Sequence, residues 1–367
     1  VEIKQQMAAD HSSLEWAKRQ ALVFCKEASL PIEVRSLGAG NINDTFLVTF
    51  PLGTSEEFIL QKINQQVFRQ PQAVIENFGK LYAHLSGKQL SIQLPRPIAT
   101  VAGEPYVVDE NGDFWRSISF IGPSVTYEYA ATPKMAYHAG RAVATFLSGL
   151  SDLEVSGIES VIPRFHDSSW RLGHFKKAWT EDMVGRVGHC AAEIDFVLGE
   201  SIVFSEVDRA GFPERIVHND SKMGNLLFDP QTEEALAVID WDTAQPGAIP
   251  SDFGDMVRTM TTTLGENDAR FEAVHLRPEW FEALAHGFVP PLQRVVSRME
   301  TEGLVLGAKW IILEQMMRFL GDYLQGDTYY KTSYPEHNLV RARNQMALYR
   351  SLLKQESALA QMIASLH

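Results

Sequence analysis

Val217-His218-Asn219-Asp220-Ser221-Lys222-Met223-Gly224-Asn225-Leu226-Leu227-Phe228-Asp229 is followed, after a short spacer, by Ala237-Val238-Ile239-Asp240-Trp241-Asp242. Asn225 follows Asp220 by five residues and Asp240 follows it by 20. Apolar runs on either side, Leu226 to Phe228 and Leu236 to Ile239, predict two short buried strands. The second delivers Asp240 at its end, so a short hairpin keeps Asp220, Asn225 and Asp240 near one another. Each residue alone would read as a polar turn or a strand cap. Their combination at this spacing, flanked by apolar strands, favours a site.

The spacing is that of a kinase catalytic loop, H-x-D-x-x-x-x-N followed by a metal-binding aspartate. Phosphoryl transfer asks for a carboxylate beside the attacking hydroxyl and oxygen ligands for Mg2+ on the nucleotide phosphates. Asp220 is the candidate for the first role, Asn225 and Asp240 for the second. Asp252-Phe253-Gly254 spells the metal motif of protein kinases but lies 32 residues after Asp220, beyond the expected place. The Pro246 to Asp252 segment reads as a Pro/Gly turn and helix N-cap, giving Asp252 a capping role or a bond to the catalytic-loop backbone. Asp242 is a further acid, a substrate or metal contact or half of an ion pair.

Working toward the amino terminus, residues 11–29 predict an amphipathic helix through Leu14, Ala17, Leu22 and Phe24. Two strands, ending at Leu37 and resuming at Thr45, flank Gly38-Ala39-Gly40-Asn41-Ile42-Asn43-Asp44. Backbone amides at Gly38, Gly40 and Asn41 can face phosphate, and Asn43 and Asp44 can face an acceptor. The strand Glu57 to Ile63 offers Lys62 for the phosphates. Gln61 competes for that place, because neighbours on a strand point to opposite faces. A helix is expected over Ala73 to Leu85, and Asn111-Gly112 marks a hairpin turn. Phe120 and Ile121 end the last strand, where adenine would bond to backbone groups. From there on the pattern is helical, with Trp310 to Leu324 as a core helix interrupted by Arg318 and Asp322. The following segment, rich in tyrosine and including Tyr329, can hold a neutral ring by stacking; a buried ion pair with packed tyrosines accounts for it equally well.

Composition narrows the class. The 367 residues, 45% hydrophobic and 22% charged, allow two lobes with a sizeable core. A formal net charge of −13 disfavours nucleic acid and anionic membranes as partners. No apolar run reaches spanning length, and the opening Val1 to Gln6 is too polar for a signal peptide. Two cysteines argue against a disulfide framework. Glycosylation sequons at Asn43 and Asn219 fall inside the expected site, where a glycan would block it. A cytoplasmic protein is expected.

These motifs, with Met317-Arg318-Phe319-Leu320-Gly321-Asp322-Tyr323-Leu324 and Tyr334-Pro335-Glu336-His337-Asn338-Leu339, resemble the aminoglycoside phosphotransferase and choline kinase-like superfamily. Within it, the likeness to the N-acetylhexosamine 1-kinase group runs nearly end to end. The resemblance implies an α+β, two-lobed protein-kinase-like fold, with a nucleotide lobe over 1–122 and a catalytic and acceptor lobe over 123–367. It implies ATP and Mg2+ as cofactors and a small-molecule sugar, N-acetylglucosamine or N-acetylgalactosamine, as partner. Phosphate would go to the anomeric hydroxyl, with Asp220 catalytic, Asn225 and Asp240 on metal, and Arg318 and Tyr329 near the sugar. The chemistry of the same segment adds Asp322 as a polar group that a ring with several hydroxyls can use. The alternatives are a homoserine, choline or aminoglycoside kinase, or an inactive nucleotide-binding pseudokinase. Intact Asp220, Asn225 and Asp240 favour the enzyme. For choline, Trp241 and Asp242 could form part of a cation cage.

Overall fold

A computed structural model describes residues 2–25, 32–37, 42–50 and 56–366, with side chains of the first helix described from Ser13 onward. The chain forms two compact units, Val1–Gln89 with Gln93–Gly122, and Leu90–Ile92 with Pro123–His367. The architecture is α+β: an antiparallel sheet in the first unit and a mostly helical second unit.

In the first unit, α1 (Glu2–Phe24) precedes β1 (Glu33–Ser36), β2 (Asp44–Thr49) and β3 (Phe58–Lys62). Then come α2 (Pro71–Ser86), β4 (Pro97–Ile98), β5 (Val107–Val108) and β6 (Phe114–Ser119). The strand order is β1-β2-β3-β6-β4, with β5 hairpinned onto β6. That hairpin turns at Gly112, whose φ of 81° suits glycine. Alternation divides the side chains between two faces. Phe46, Val48, Phe58, Leu60 and Trp115 pack with Ala17, Ala21 and Phe24 of α1 into one core. Each large apolar side chain buried there contributes about 1.5–3 kcal/mol. The opposite face carries Leu47, Ile59 and Ile118 as one cross-strand row and Thr45, Gln61 and Arg116 as the next.

The second unit holds α3 (Pro133–Leu150), α4 (Ser168–Glu181), α5 (Ala191–Glu200) and α6 (Ile202–Ala210) before the site. Four short strands follow: β7 (Arg215–Val217), β8 (Leu226–Phe228), β9 (Ala235–Val238) and β10 (Gln245–Gly247). They pair as two antiparallel ribbons, β7 with β10 and β8 with β9. After them come α7 (Ile249–Met260), α8 (Pro278–Leu292), α9 (Arg298–Glu302), α10 (Leu304–Leu324) and α11 (His337–Ala364).

The Pro246 to Asp252 segment is not a turn with a cap at Asp252. Gln245 to Gly247 form a strand, and α7 begins at Ile249 with Pro250 in its first turn, where a missing N–H costs nothing. Asp252 and Phe253 therefore lie inside the helix. Gly254 lets α7 and α10 approach closely: a Cβ there would run into the Gly307 carbonyl, and one on Gly307 would strike the Pro250 carbonyl. The glycine of Asp252-Phe253-Gly254 is thus explained by helix packing.

Candidate active site

Asp220 is presented by a loop tied down at almost every polar atom. The His218 and Asn219 amides donate to the two oxygens of Asp252, both at 2.7 Å. The Ser221 hydroxyl donates to the Asp252 carbonyl at 2.7 Å, and the Met223 amide to Thr259 Oγ1 at 3.1 Å. One face of α7 therefore fixes the loop from His218 to Met223. Asn219 sits at φ 63°, a left-handed conformation that asparagine tolerates, and its Nδ2 donates to the Thr243 and Gln245 carbonyls. Gly247 must be glycine, since a Cβ would collide with Val217 and the Asn219 amide.

His218 is fully buried. Its Nε2 donates to the Ile239 carbonyl at 2.9 Å, and its Nδ1 accepts from the Asp220 amide at 3.3 Å. One donor and one acceptor define the neutral ring, a tautomer read from the hydrogen-bond network. The ring ties the Asp220 loop to the end of β9, where Asp240 turns at φ 61°.

The Asp220 carboxylate accepts from Lys222 Nζ at 2.7 Å and Asn225 Nδ2 at 2.9 Å. Burial pushes its pKa up, but the Lys222 ammonium and the hydrogen bonds from Lys222 and Asn225 outweigh that and hold it at about 2. Asp240 goes the other way: burial, with the Asp242 and Asp220 charges close by, raises it to about 6. A divalent cation would relieve that repulsion, and hard oxygen donors suit Mg2+. Because Asn225 Nδ2 also donates to the Asp220 carbonyl at 2.7 Å, its Oδ1 is the amide atom left to meet a cation. Among the described residues no three His, Cys, Asp or Glu side chains form a self-sufficient metal cluster. A metal at Asn225 and Asp240 would need phosphate and water oxygens, which is how Mg2+ is usually held.

Among the residues expected near a sugar, the Arg318 guanidinium lies within 6 Å of three rings: Phe165 (5.5 Å), Tyr329 (5.9 Å) and Tyr330 (5.7 Å). Arg171 lies over Phe165 as well and donates to its carbonyl at 2.7 Å. Burial and the nearby Arg318 charge lower the Arg171 pKa. Glu314, fully buried, accepts from His166 Nδ1 at 2.9 Å and Trp310 Nε1 at 3.1 Å, and lies 3.5 Å from Arg171. The Asp220 charge is near enough to act on Arg318. The sequence reading missed Phe165, His166, Arg171, Glu314 and Tyr330. A buried charge in an apolar helix, as at Glu314, was the available signal.

Several expected ligands have other work. Asp322 is buried, and its oxygens accept from the Thr328, Tyr329 and Tyr330 amides and Asn338 Nδ2 at 2.8–2.9 Å. It shapes the loop that carries the tyrosines. Asn43 is buried, with its Oδ1 accepting the Asn64 amide at 3.0 Å, which also leaves no room for a glycan. Asp44 and Lys62 face each other at 3.5 Å on the α1 side of the sheet, with Asp113 also 3.5 Å from Lys62. Trp241 is buried, spending its indole N–H on the Val238 carbonyl at 2.8 Å, and Asp242 is buried beside it, so they form no open cation cage. Phe120 follows β6 with its amide on the Glu57 carbonyl at 3.4 Å, and Ile121 is buried. Gly38, Gly40 and Asn41 lie outside the described residues.

The sequence profile of the phosphotransferase enzyme family, APH, matches residues 33–289. The chain belongs to this family. Solved structures of similar fold include the microcompartment-associated aminopropanol kinase, 17% identical over 90% of this chain and 94% of that one, TM-score 0.57. An amicoumacin kinase in complex with AMP-PNP, Ca2+ and Ami is 14% identical over 94% and 95%, TM-score 0.61. Choline kinase from Cryptosporidium parvum Iowa II is 15% identical over 90% and 92%, TM-score 0.53. At such identities the likeness is one of fold. Phosphotransferase membership agrees with the catalytic-loop reading; the acceptor is a separate question. Among the described residues no helix is long and apolar enough to cross a membrane.

Proposed function

We propose that this phosphotransferase moves the γ-phosphoryl group of Mg2+-bound ATP to the anomeric hydroxyl of an N-acetylhexosamine. Residues 1–122 would bind the nucleotide and 123–367 would carry out catalysis and bind the acceptor. The observation that carries the sugar reading is the charge of the acceptor-side cluster. Arg318 and Arg171 bring two positive charges, and the carboxylate packed beside them, Glu314, is taken up by His166, Trp310 and Arg171, while Asp220 is paired with Lys222. A cationic acceptor such as choline, aminopropanol or an aminoglycoside would meet like charge. A neutral ring can accept hydrogen bonds from guanidinium and stack on Tyr329, which is 57% exposed. The anomeric position and the acetamido group come from the motif resemblance.

Asp220 would accept a hydrogen bond from the sugar hydroxyl and align its lone pair with the γ-phosphorus. A carboxylate held at about 2 is a poor base in the ground state. That suits a loose transition state, in which the proton leaves late. As the new O–P bond forms, the β–γ bridging bond breaks, ADP departs, and the proton passes to Asp220. Mg2+ held by Asn225 and Asp240 would neutralise charge on the β- and γ-oxygens. The test is ATP turnover against N-acetylglucosamine, N-acetylgalactosamine, glucose, homoserine, choline and kanamycin, with phosphorus NMR of the product. A sugar 1-phosphate is expected. Turnover restricted to the cationic acceptors, or a 6-phosphate product, would overturn the acceptor assignment.

A further inference from the structure

The first unit has to supply a cation for the nucleotide phosphates, and β3 offers Lys62 only on the face that packs α1. Lys62 pairs across the sheet with Trp115, a member of the α1 core, and its neighbours there are Asp44 and Asp113. The opposite face is organised differently. Leu47, Ile59 and Ile118 form an apolar row beside the end of β6, the end that leads to Phe120 and Ile121. The next row, about 6–7 Å further along the strands, is Thr45, Gln61 and Arg116.

That second row is a built relay. Gln61 Nε2 donates to Thr45 Oγ1 at 3.2 Å, which orients the amide. Gln61 Oε1 then accepts from both Arg116 Nε (3.1 Å) and Nη2 (2.8 Å). The guanidinium lies 5.0 Å from the Phe78 ring of α2 and is only 2% exposed as a residue. Gln61, Ile59 and Ile118 are half-buried, so the face is not sealed. An apolar row followed by a fixed guanidinium matches the order of a nucleotide, base first and phosphates next. Guanidinium is also the side chain best suited to bidentate phosphate contacts.

We infer that Arg116, oriented by Gln61, is the cation that binds the α- and β-phosphates of the nucleotide, in the role the β3 lysine was expected to fill. This rests on the nucleotide-dependent reading above. The β3 position facing this side is then a glutamine because the charge has moved one strand over: Gln61 can accept from the arginine, whereas a lysine there would repel it.

The experiment titrates adenosine, AMP and Mg2+-ADP into the full-length protein and its variants by calorimetry, alongside KM for ATP and for sugar. In the wild type, affinity should rise from adenosine to ADP. Arg116→Met should lose at least about ten-fold of that increment, the scale of a charged hydrogen-bond pair, with adenosine affinity kept within about two-fold. Arg116→Lys should recover part of it, and KM for ATP should rise with KM for sugar unchanged. Gln61→Ala, at a half-buried position, should lose about three-fold of the ADP increment and covers the case in which Arg116→Met does not fold. Retention of the full increment in Gln61→Ala and either Arg116 variant, or its loss in Lys62→Met instead, would overturn the assignment. A wild-type protein that binds no adenine nucleotide would overturn the kinase reading itself, and this proposal with it.

Discussion

Asp252→Asn probes how far the catalytic loop depends on α7. The carboxylate accepts two backbone N–H groups at 2.7 Å each and is fully buried. Hydrogen bonds to a charged acceptor contribute about 1.5–3 kcal/mol apiece, so about 3–6 kcal/mol is at stake. Burial outweighs even these bonds and leaves the carboxyl at about 6 against 3.8 for the free side chain, so the charge is carried at a net cost at neutral pH. Asparagine keeps one acceptor, sheds that charge cost, and turns a donor toward the second amide. The net destabilisation is then about 1–3 kcal/mol, a Tm decrease of a few degrees. Catalysis should suffer more, because Asn219 and Asp220 move with the loop and a 1 Å displacement costs about 100-fold in rate. The assay compares Tm, kcat and the Mg2+ dependence of turnover for Asp252→Asn and Asp240→Ala. A lower kcat with unchanged Mg2+ dependence is expected of Asp252→Asn, and weakened Mg2+–ATP use of Asp240→Ala. The reverse pattern would make Asp252-Phe253-Gly254 the metal site instead.

Asp220→Asn should cut kcat by about 10²–10⁴-fold while calorimetric ATP affinity stays near the wild-type value; retention of a tenth of the activity would remove Asp220 from the reaction. Arg318→Ala should raise KM for sugar at least about ten-fold with KM for ATP little changed, as expected when only acceptor binding is lost. Glu314 supplies the pH test. Burial works against its charge, but His166, Arg171 and Arg318 outweigh burial and hold its pKa below the usual 4.5. Its folded pKa being depressed, the stability it contributes is present above about pH 4.5 and lost as pH falls through the folded value. Thermal melts of wild type and Glu314→Gln should therefore converge below pH 4.5, and a constant gap would show that the carboxylate is not charge-paired in the fold.

The local arrangement of the catalytic loop was legible in residue spacing. Asp220 and Asn225 are five residues apart on one tight loop, and the β8–β9 hairpin returns the chain to Asp240 within 20 residues, so spacing alone constrains their separation. Strand alternation likewise made plain that Gln61 and Lys62 face opposite ways. Which face carries the α1 core was a tertiary fact, since α1 and β3 are far apart in the chain and either side of the sheet could have received the helix. Only the tertiary structure brought Asp252 onto the His218 and Asn219 amides across more than 30 residues, or His166, Arg171, Glu314 and Arg318 together from separate segments. Asp322 marks the boundary between the two kinds of knowledge. A polar residue in an apolar helix signals that the carboxylate has a partner, because burying it unpaired would be too costly. That the backbone amides of residues 328–330 are among its partners depends on where the following loop folds back, which only the tertiary structure decided.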